Sequence, residues 1–243
     1  TTKLFKSIKE KNNELILECV ERLKENFGDE VDTIVKICGL SKAQHVDAAV
    51  EAGAGLTGYV FFPRSPRNVT IEAAASLTAS VPDNVRKVAL TVDADDELLD
   101  QIVAGAGVDT LQLHGHETAQ RVSEVRQKYG LSVIKVLPIA SADDVKAAHA
   151  FETVSDMLLF DAKPPKDATR PGGNAVSFDW GLLSDESWSV PWLLAGGLDA
   201  ENVGTAIKAI NAPMVDVSSG VEDASGQKSI QKIQDFIAAV KQI

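Results

Sequence analysis

Aromatic side chains are scarce in this chain, 5% of 243 residues, and cysteine occurs only twice, at Cys19 and Cys38. The first shortage leaves Val, Ile, Leu and Ala to fill the core. The second excludes a disulfide framework, and the lack of a Cys-x-x-Cys pair removes a common metal and redox pattern. A reducing, cytoplasmic setting is the expectation. Basic residues are in deficit, 24 against 35 acidic ones, for a net charge of −11. Nucleic acid and anionic membrane surfaces both call for a positive field, so neither is expected as a partner. Long apolar runs are missing as well. The longest near the start, Leu15-Ile16-Leu17, ends at Glu18, far short of a membrane span or a signal-peptide core.

What the chain does have is a repeating alternation. Short apolar runs recur at 33–38, 56–61, 87–92, 110–113, 132–136, 157–160, 192–195 and 214–217. Stretches with helical spacing separate them, at 42–52, 71–79, 95–104, 118–129, 142–150, 178–183, 202–210 and 229–241. Eight strands alternating with eight helices predict a parallel sheet, and the chain length favours closure into a (β/α)8 TIM barrel over residues 31–243. An open doubly wound sheet usually carries Gly-x-Gly-x-x-Gly after its first strand; Cys38-Gly39-Leu40-Ser41 is not that turn. Ser41 and Ser141 are expected as helix N-caps, and Gly53 and Gly130 as left-handed C-caps. Residues 1–30 lie outside the barrel count. Leu15, Ile16, Cys19, Val20, Leu23 and Phe27 share one helical face there, which predicts an amphipathic N-terminal helix covering the barrel floor.

Side chains alternate between the two faces of a strand. In the first strand Val35 and Ile37 belong outside, against helices, which sends Lys36 and Cys38 inward. The same argument turns Gln112 and His114 inward in the fourth strand, Asp161 in the sixth, and Asp216 and Ser218 in the eighth. Four strands thus aim polar groups at one mouth, and each unpartnered buried polar group costs about 1–3 kcal/mol. Stability alone does not account for so many. His114-Gly115-His116-Glu117 lacks cysteine partners and His-Glu-x-x-His spacing, so no metal is expected.

Two late segments suit an anion. Leu194-Ala195-Gly196-Gly197-Leu198 follows the seventh strand and Ser218-Ser219-Gly220-Val221 the eighth. Small residues let backbone N–H groups approach a ligand, and barrels often bind phosphate at these two loops. Gly172 and Gly173 lie in the long loop after the sixth strand, where they can fold over the ligand. Lys163-Pro164-Pro165-Lys166 makes that loop stiff and basic, either a lid or a surface loop shaped by its prolines.

These segments, taken in order, resemble the phosphoribosylanthranilate isomerases. The resemblance is carried by Lys36-Ile37-Cys38-Gly39-Leu40, Phe61-Phe62-Pro63-Arg64-Ser65-Pro66-Arg67, Leu111-Gln112-Leu113-His114-Gly115, Phe160-Asp161, Gly172-Gly173, Phe178-Asp179-Trp180, the Gly196-Gly197 segment and Val215-Asp216-Val217-Ser218-Ser219-Gly220-Val221-Glu222. It runs from about residue 33 to the C-terminus and leaves out residues 1–30.

The resemblance implies an Amadori rearrangement in tryptophan biosynthesis, with no cofactor and no metal. N-(5-phosphoribosyl)anthranilate becomes 1-(2-carboxyphenylamino)-1-deoxyribulose 5-phosphate. Cys38 matches the family's general base, Asp161 its general acid, and Arg67 the residue that holds the anthranilate carboxylate. Lys36 on the strand face of Cys38 is expected to favour its thiolate, and Asp216 to accept from a ribose hydroxyl. Lys36, Gln112 and His114 are expected to touch substrate. Gly172, Gly173, Gly196, Gly197, Ser218, Ser219 and Gly220 are expected to hold the phosphate. The partner is a small phosphosugar, and the assembly is a monomer or a homodimer. One departure stands out: the family often has another glycine two positions after Gly172-Gly173, where this chain has Asn174-Ala175. Indole-glycerol-phosphate synthase is the nearest rival; it would need a catalytic lysine, with Lys36 and Lys135 as candidates on position alone. A non-catalytic barrel that binds a phosphorylated ligand is the other rival.

Overall fold

The computed structural model describes residues 33–165, 168, 170–173 and 177–243. The helix expected within residues 1–30 lies outside them, as do Lys166, Asn174 and Ala175.

Eight parallel strands close into one barrel, each hydrogen-bonded to its sequence neighbours, with the eighth returning to the first. The strands are β1 Ile34–Cys38, β2 Leu56–Phe61, β3 Arg86–Thr91, β4 Thr110–Leu113, β5 Ser132–Ile139, β6 Met157–Ala162, β7 Trp192–Leu194 and β8 Met214–Val217. The helices are α1 Ala43–Ala52, α2 Ile71–Thr78, α3 Asp96–Gly105, α4 Ala119–Tyr129, α5 Ala142–Ala148, α6 Val203–Ile210 and α7 Ile230–Lys241. A short antiparallel hairpin, β9 Glu222–Ala224 with β10 Gln227–Lys228, follows β8. Between β6 and β7 the expected helix at 178–183 is a 3₁₀ turn, Trp180–Leu183. That stretch is too short to repay the cost of nucleating an α-helix.

Alternation along the strands divides the apolar residues into separate cores. Val35, Ile37, Leu111, Leu113, Leu158, Phe160, Val215 and Val217 pack outward with the helices. Leu56, Val88, Ile134, Val136, Met157, Leu159, Leu193 and Met214 fill the barrel interior. Above them Cys38, Val60 and Leu90 form a third cluster with Phe62 and Val92, at the C-terminal rim.

Caps fix where the helices begin and end. Thr70, Asp95, Thr118 and Ser141 each accept a backbone N–H of the first turn of the helix that follows. Gly53 and Gly130 close α1 and α4 in left-handed conformations. Ser41 does not cap α1. Lys42 occupies the flanking position with no side-chain capping bond, because the helix starts at Ala43 and leaves Ser41 one residue too far out.

Candidate active site

Two adjoining compartments open at the C-terminal rim. One, of about 470 Å3, is walled by Val60, Phe62, Leu90, Val92 and Pro171 and reached by Cys38, Arg67, Gln112 and His114. The other, of about 430 Å3, is lined by Gly196, Gly197, Leu198, Ser218 and Ser219. Asp161, Gly172, Gly173, Asp216 and Ser218 line both. An apolar slot and a small-residue nest therefore meet at two carboxylates.

Strand register builds the floor. Lys36 on β1 and Asp216 on β8 are paired positions across the seam that closes the barrel. Their side chains meet at 2.7 Å, with Lys36 fully buried. Burial pulls the Lys36 pKa down, but Asp216 and Cys38 beside it more than offset this, and the net shift is upward. Lys36 is a permanent cation beneath the rim. Gly58, inside β2, makes room for it. A Cβ at that position would lie 3.1 Å from Cys38 Sγ and 3.2 Å from Lys36 Nζ. The Cys38 thiol is pushed above its ordinary value by burial, and Asp216 adds to this, while Lys36 and Lys228 offset only part. In the ligand-free protein Lys36 therefore moderates the thiol without making it a thiolate at neutral pH.

Asp161, the penultimate residue of β6, has Oδ1 accepting the Ala162 backbone N–H at 2.8 Å and Oδ2 3.5 Å from His114 Nε2. Gly196, at φ +89°, passes against it; a Cβ there would come within 2.8 Å of Ala162 N. Only glycine suits that left-handed, crowded position. Asn202 braces the loop beyond, donating to the Gly197 carbonyl at 2.9 Å and accepting Asp199 N–H at 3.0 Å. Gln112 is completely buried, and neither atom of its amide finds a partner among the described residues.

Arg67 is held differently from expectation. Its Nε and Nη2 donate to Glu222 Oε1 at 2.6 Å and Oε2 at 2.8 Å. The side of the guanidinium that can pair with a carboxylate through two parallel bonds is taken by the protein itself. Nη1 points toward Gly173 at the cavity wall. Arg170 lines the same compartment and donates to the Gly173 carbonyl at 2.9 Å. Burial and the neighbouring Arg67 both hold its guanidinium below the ordinary value.

Two expected site residues stand back from the cavity. Lys36 lies under it rather than in its wall. Gly220 lines neither compartment; its Cα sits on the Leu198 carbonyl, where any Cβ would collide. Lys135 belongs to the outer face of β5, opposite Ile134 and Val136. Its ammonium is bound to Glu117 at 2.6 Å and to the Gly115 carbonyl at 2.8 Å, so it is no candidate for chemistry at the mouth. Among the described residues no cluster of three or more His, Cys, Asp or Glu could hold a metal ion.

Residues 35–239 match the family model described as N-(5'phosphoribosyl)anthranilate (PRA) isomerase. The chain belongs to that family. Over 207 residues it is 53% identical to the N-(5'-phosphoribosyl)anthranilate isomerase of Paramagnetospirillum magneticum, spanning 85% of this chain and 96% of that one. The Paracoccus denitrificans enzyme of the same name is 53% identical over 204 residues, 84% of this chain and 95% of that one. Among solved structures, the phosphoribosyl anthranilate isomerase of Thermotoga maritima superposes with a TM-score of 0.78 at 30% identity, covering 87% of this chain and all of that one. A phosphoribosyl anthranilate isomerase in complex with reduced 1-(o-carboxyphenylamino)-1-deoxyribulose 5-phosphate has a TM-score of 0.74 at 29% identity, with coverage of 87% and 100%.

Sequence reasoning did not single out Phe62, Val92 and Arg170 in the cavity wall, nor Gly58 and the Glu222–Lys228 pair behind it. Gly58 left a signal. A glycine inside an apolar strand marks close approach by a neighbour. The Arg67–Glu222 contact left none, because 155 positions separate the partners.

Proposed function

We propose that this isomerase converts N-(5-phosphoribosyl)anthranilate to 1-(2-carboxyphenylamino)-1-deoxyribulose 5-phosphate in tryptophan biosynthesis, with Asp161 as general acid and Cys38 as general base. The observation that carries the reading is the meeting of the two compartments at Asp161 and Asp216. The substrate has the same layout: a flat ring at one end, a phosphate at the other, and the reacting sugar between. The ring lies between Phe62, Val92 and Pro171. The phosphate lies over Gly196, Gly197, Ser218 and Ser219, with Gly172 and Gly173 closing from the β6 loop. The carboxylate meets the edge of Arg67 that Glu222 leaves open, Nη1 and the second hydrogen of Nη2.

Asp161 in its acid form protonates the ribose ring oxygen. The bond from that oxygen to C1′ breaks, and the nitrogen lone pair forms an iminium with C1′. The Cys38 thiolate then takes the proton from C2′, and the C–H electrons neutralise the iminium as an enolamine. Protonation at C1′ and loss of the C2′ hydroxyl proton yield the ketone. A positioned acid or base of this kind contributes about 10²–10⁴-fold each. Lys36 supports the anionic sulfur, and Asp216 accepts from a ribose hydroxyl without leaving Lys36. Gln112 gains the partners that its buried amide lacks.

The same reading makes this a cytoplasmic enzyme that acts on a small phosphosugar and not on nucleic acid, as a monomer or homodimer. A dimeric relative from Thermotoga maritima supports the homodimer. Among the described residues no helix is long and apolar enough to cross a membrane. The test is a spectroscopic assay with freshly generated phosphoribosylanthranilate. Consumption at enzymatic rates is expected; no turnover by the intact protein would refute the reading.

A further inference from the structure

Directly after the phosphate turn the chain makes the β9–β10 hairpin, and this hairpin carries two buried charges that the rearrangement does not use. Glu222 is 8% exposed and Lys228 5%. Neither lines a compartment of the site. Each reaches a residue that does. Glu222 binds the Nε and Nη2 edge of Arg67. Lys228 Nζ donates to the Ser218 carbonyl at 2.8 Å and the Ser218 hydroxyl at 3.2 Å. The two are bound to each other at 2.8 Å. The chain of contacts is therefore continuous: Arg67, Glu222, Lys228, Ser218.

We infer that Glu222 and Lys228 are positioning residues that tie the carboxylate end of the site to its phosphate end, so that the hairpin sets the spacing between Arg67 and Ser218. This rests on the functional reading above, which places the two anionic groups of the substrate at those residues. Burying an ion costs several kcal/mol, and apolar side chains of similar volume are often as stable or better. A core filled for stability alone has no need of this triad. What the charges supply is direction. Arg67 cannot rotate away without breaking both of its bonds to Glu222, and the Ser218 turn cannot shift without breaking both bonds from Lys228.

The hairpin is anchored to do this. The Gly226 backbone N–H donates to Glu222 Oε2 at 3.0 Å, and Lys232 holds the Glu222 carbonyl at 2.7 Å. The net charge of the triad is positive, two cations against one carboxylate, which suits a ligand anionic at both ends. The titration behaviour agrees with tight coupling. Glu222 is burdened by burial, yet Arg67 and Lys228 hold it down at about 2. Burial brings Lys228 down to about 8 although Glu222 supports its charge.

The experiment measures each end separately. Inorganic phosphate and free anthranilate serve as probes, and their dissociation constants are measured by calorimetric titration alongside KM and kcat for the full substrate. In Lys228→Met, phosphate affinity should fall at least tenfold. Anthranilate affinity should also fall, about threefold or more, although Lys228 touches nothing at that end. KM should rise accordingly, by a larger factor than kcat falls. In an Arg67→Ala background the Lys228→Met change should no longer affect anthranilate. A purely structural role would lower the melting temperature and leave both affinities within twofold, and that result overturns the inference. Weakened phosphate binding with unchanged anthranilate binding also overturns it. If Lys228→Met does not fold, the isosteric Glu222→Gln asks the same question: both probes should weaken, and loss confined to anthranilate is the contrary result. Failure of the wild type to turn over substrate while still binding both probes would count against the reaction; the two titrations would still decide the coupling.

Discussion

Lys36 and Asp216 join at 2.7 Å across the seam where β1 meets β8, at positions paired in the strand register. The bond spans the seam that the β1–β8 ladder closes and places a cation beside the Cys38 sulfur. It also leaves the thiol with a conflict. Burial resists its ionisation and Lys36 relieves only part of that resistance.

That conflict is measurable by alkylation. In a Cys19→Ser background, the iodoacetamide rate at Cys38 should be low at pH 7 and climb about tenfold per pH unit through pH 9, because only the thiolate reacts. Lys36→Met should slow it further at every pH and cut kcat by about a hundredfold or more. A plateau in the rate below pH 8 would show that the thiol is already ionised and that the balance stated here is wrong.

The proposed acid and base are separable from the fold. Cys38→Ala and Asp161→Asn should each lower kcat by about 10²–10⁴-fold. Circular dichroism and the thermal transition should stay close to wild type, since both residues sit at the rim. Near-normal turnover in either variant would remove that residue from the mechanism.

Arg67→Ala should raise KM by at least tenfold with a smaller change in kcat, because its remaining edge binds the carboxylate in ground and transition states alike. It also strands Glu222 beside Lys228, so some loss of thermal stability is expected. An unchanged KM would refute the clamp.

Acid stability should report Glu222. Its folded-state value of about 2 lies below the ordinary 4.5, so its contribution is complete above pH 4.5 and is lost as pH falls toward 2. The contribution is about 2 kcal/mol after allowance for solvent screening. Urea denaturation between pH 5 and 2.5 should show a shallower acid decline for Glu222→Gln than for wild type. Parallel declines would mean that the carboxylate is not held down.

The inward polar set was legible in the sequence because a strand has a period of two. Once Val35 and Ile37 face the helices, Lys36 and Cys38 have only the barrel to enter, and Gln112, His114, Asp161, Asp216 and Ser218 follow by the same rule. Ser41 and the 178–183 segment were misread for a local reason. A cap or a helix needs its boundary right to within a residue or two, and periodicity does not fix boundaries that finely. The engagement of Arg67 by Glu222 was illegible for a global reason. It depends on a hairpin after β8 reaching the loop after β2, and no pattern within either segment announces the other.

The placement of the groups along the chain has a consequence for how such a barrel can be divided. The proposed base and carboxylate grip, with Phe62 and Val92 of the ring slot, come from β1 to β3 and their loops. Pro171 of the slot, the proposed acid, the sugar-hydroxyl acceptor and the phosphate nest come from β6 to β8 and their loops. Fragments separated at the α4–β5 junction would each inherit an incomplete toolkit, and activity would return only through reassembly of the two halves.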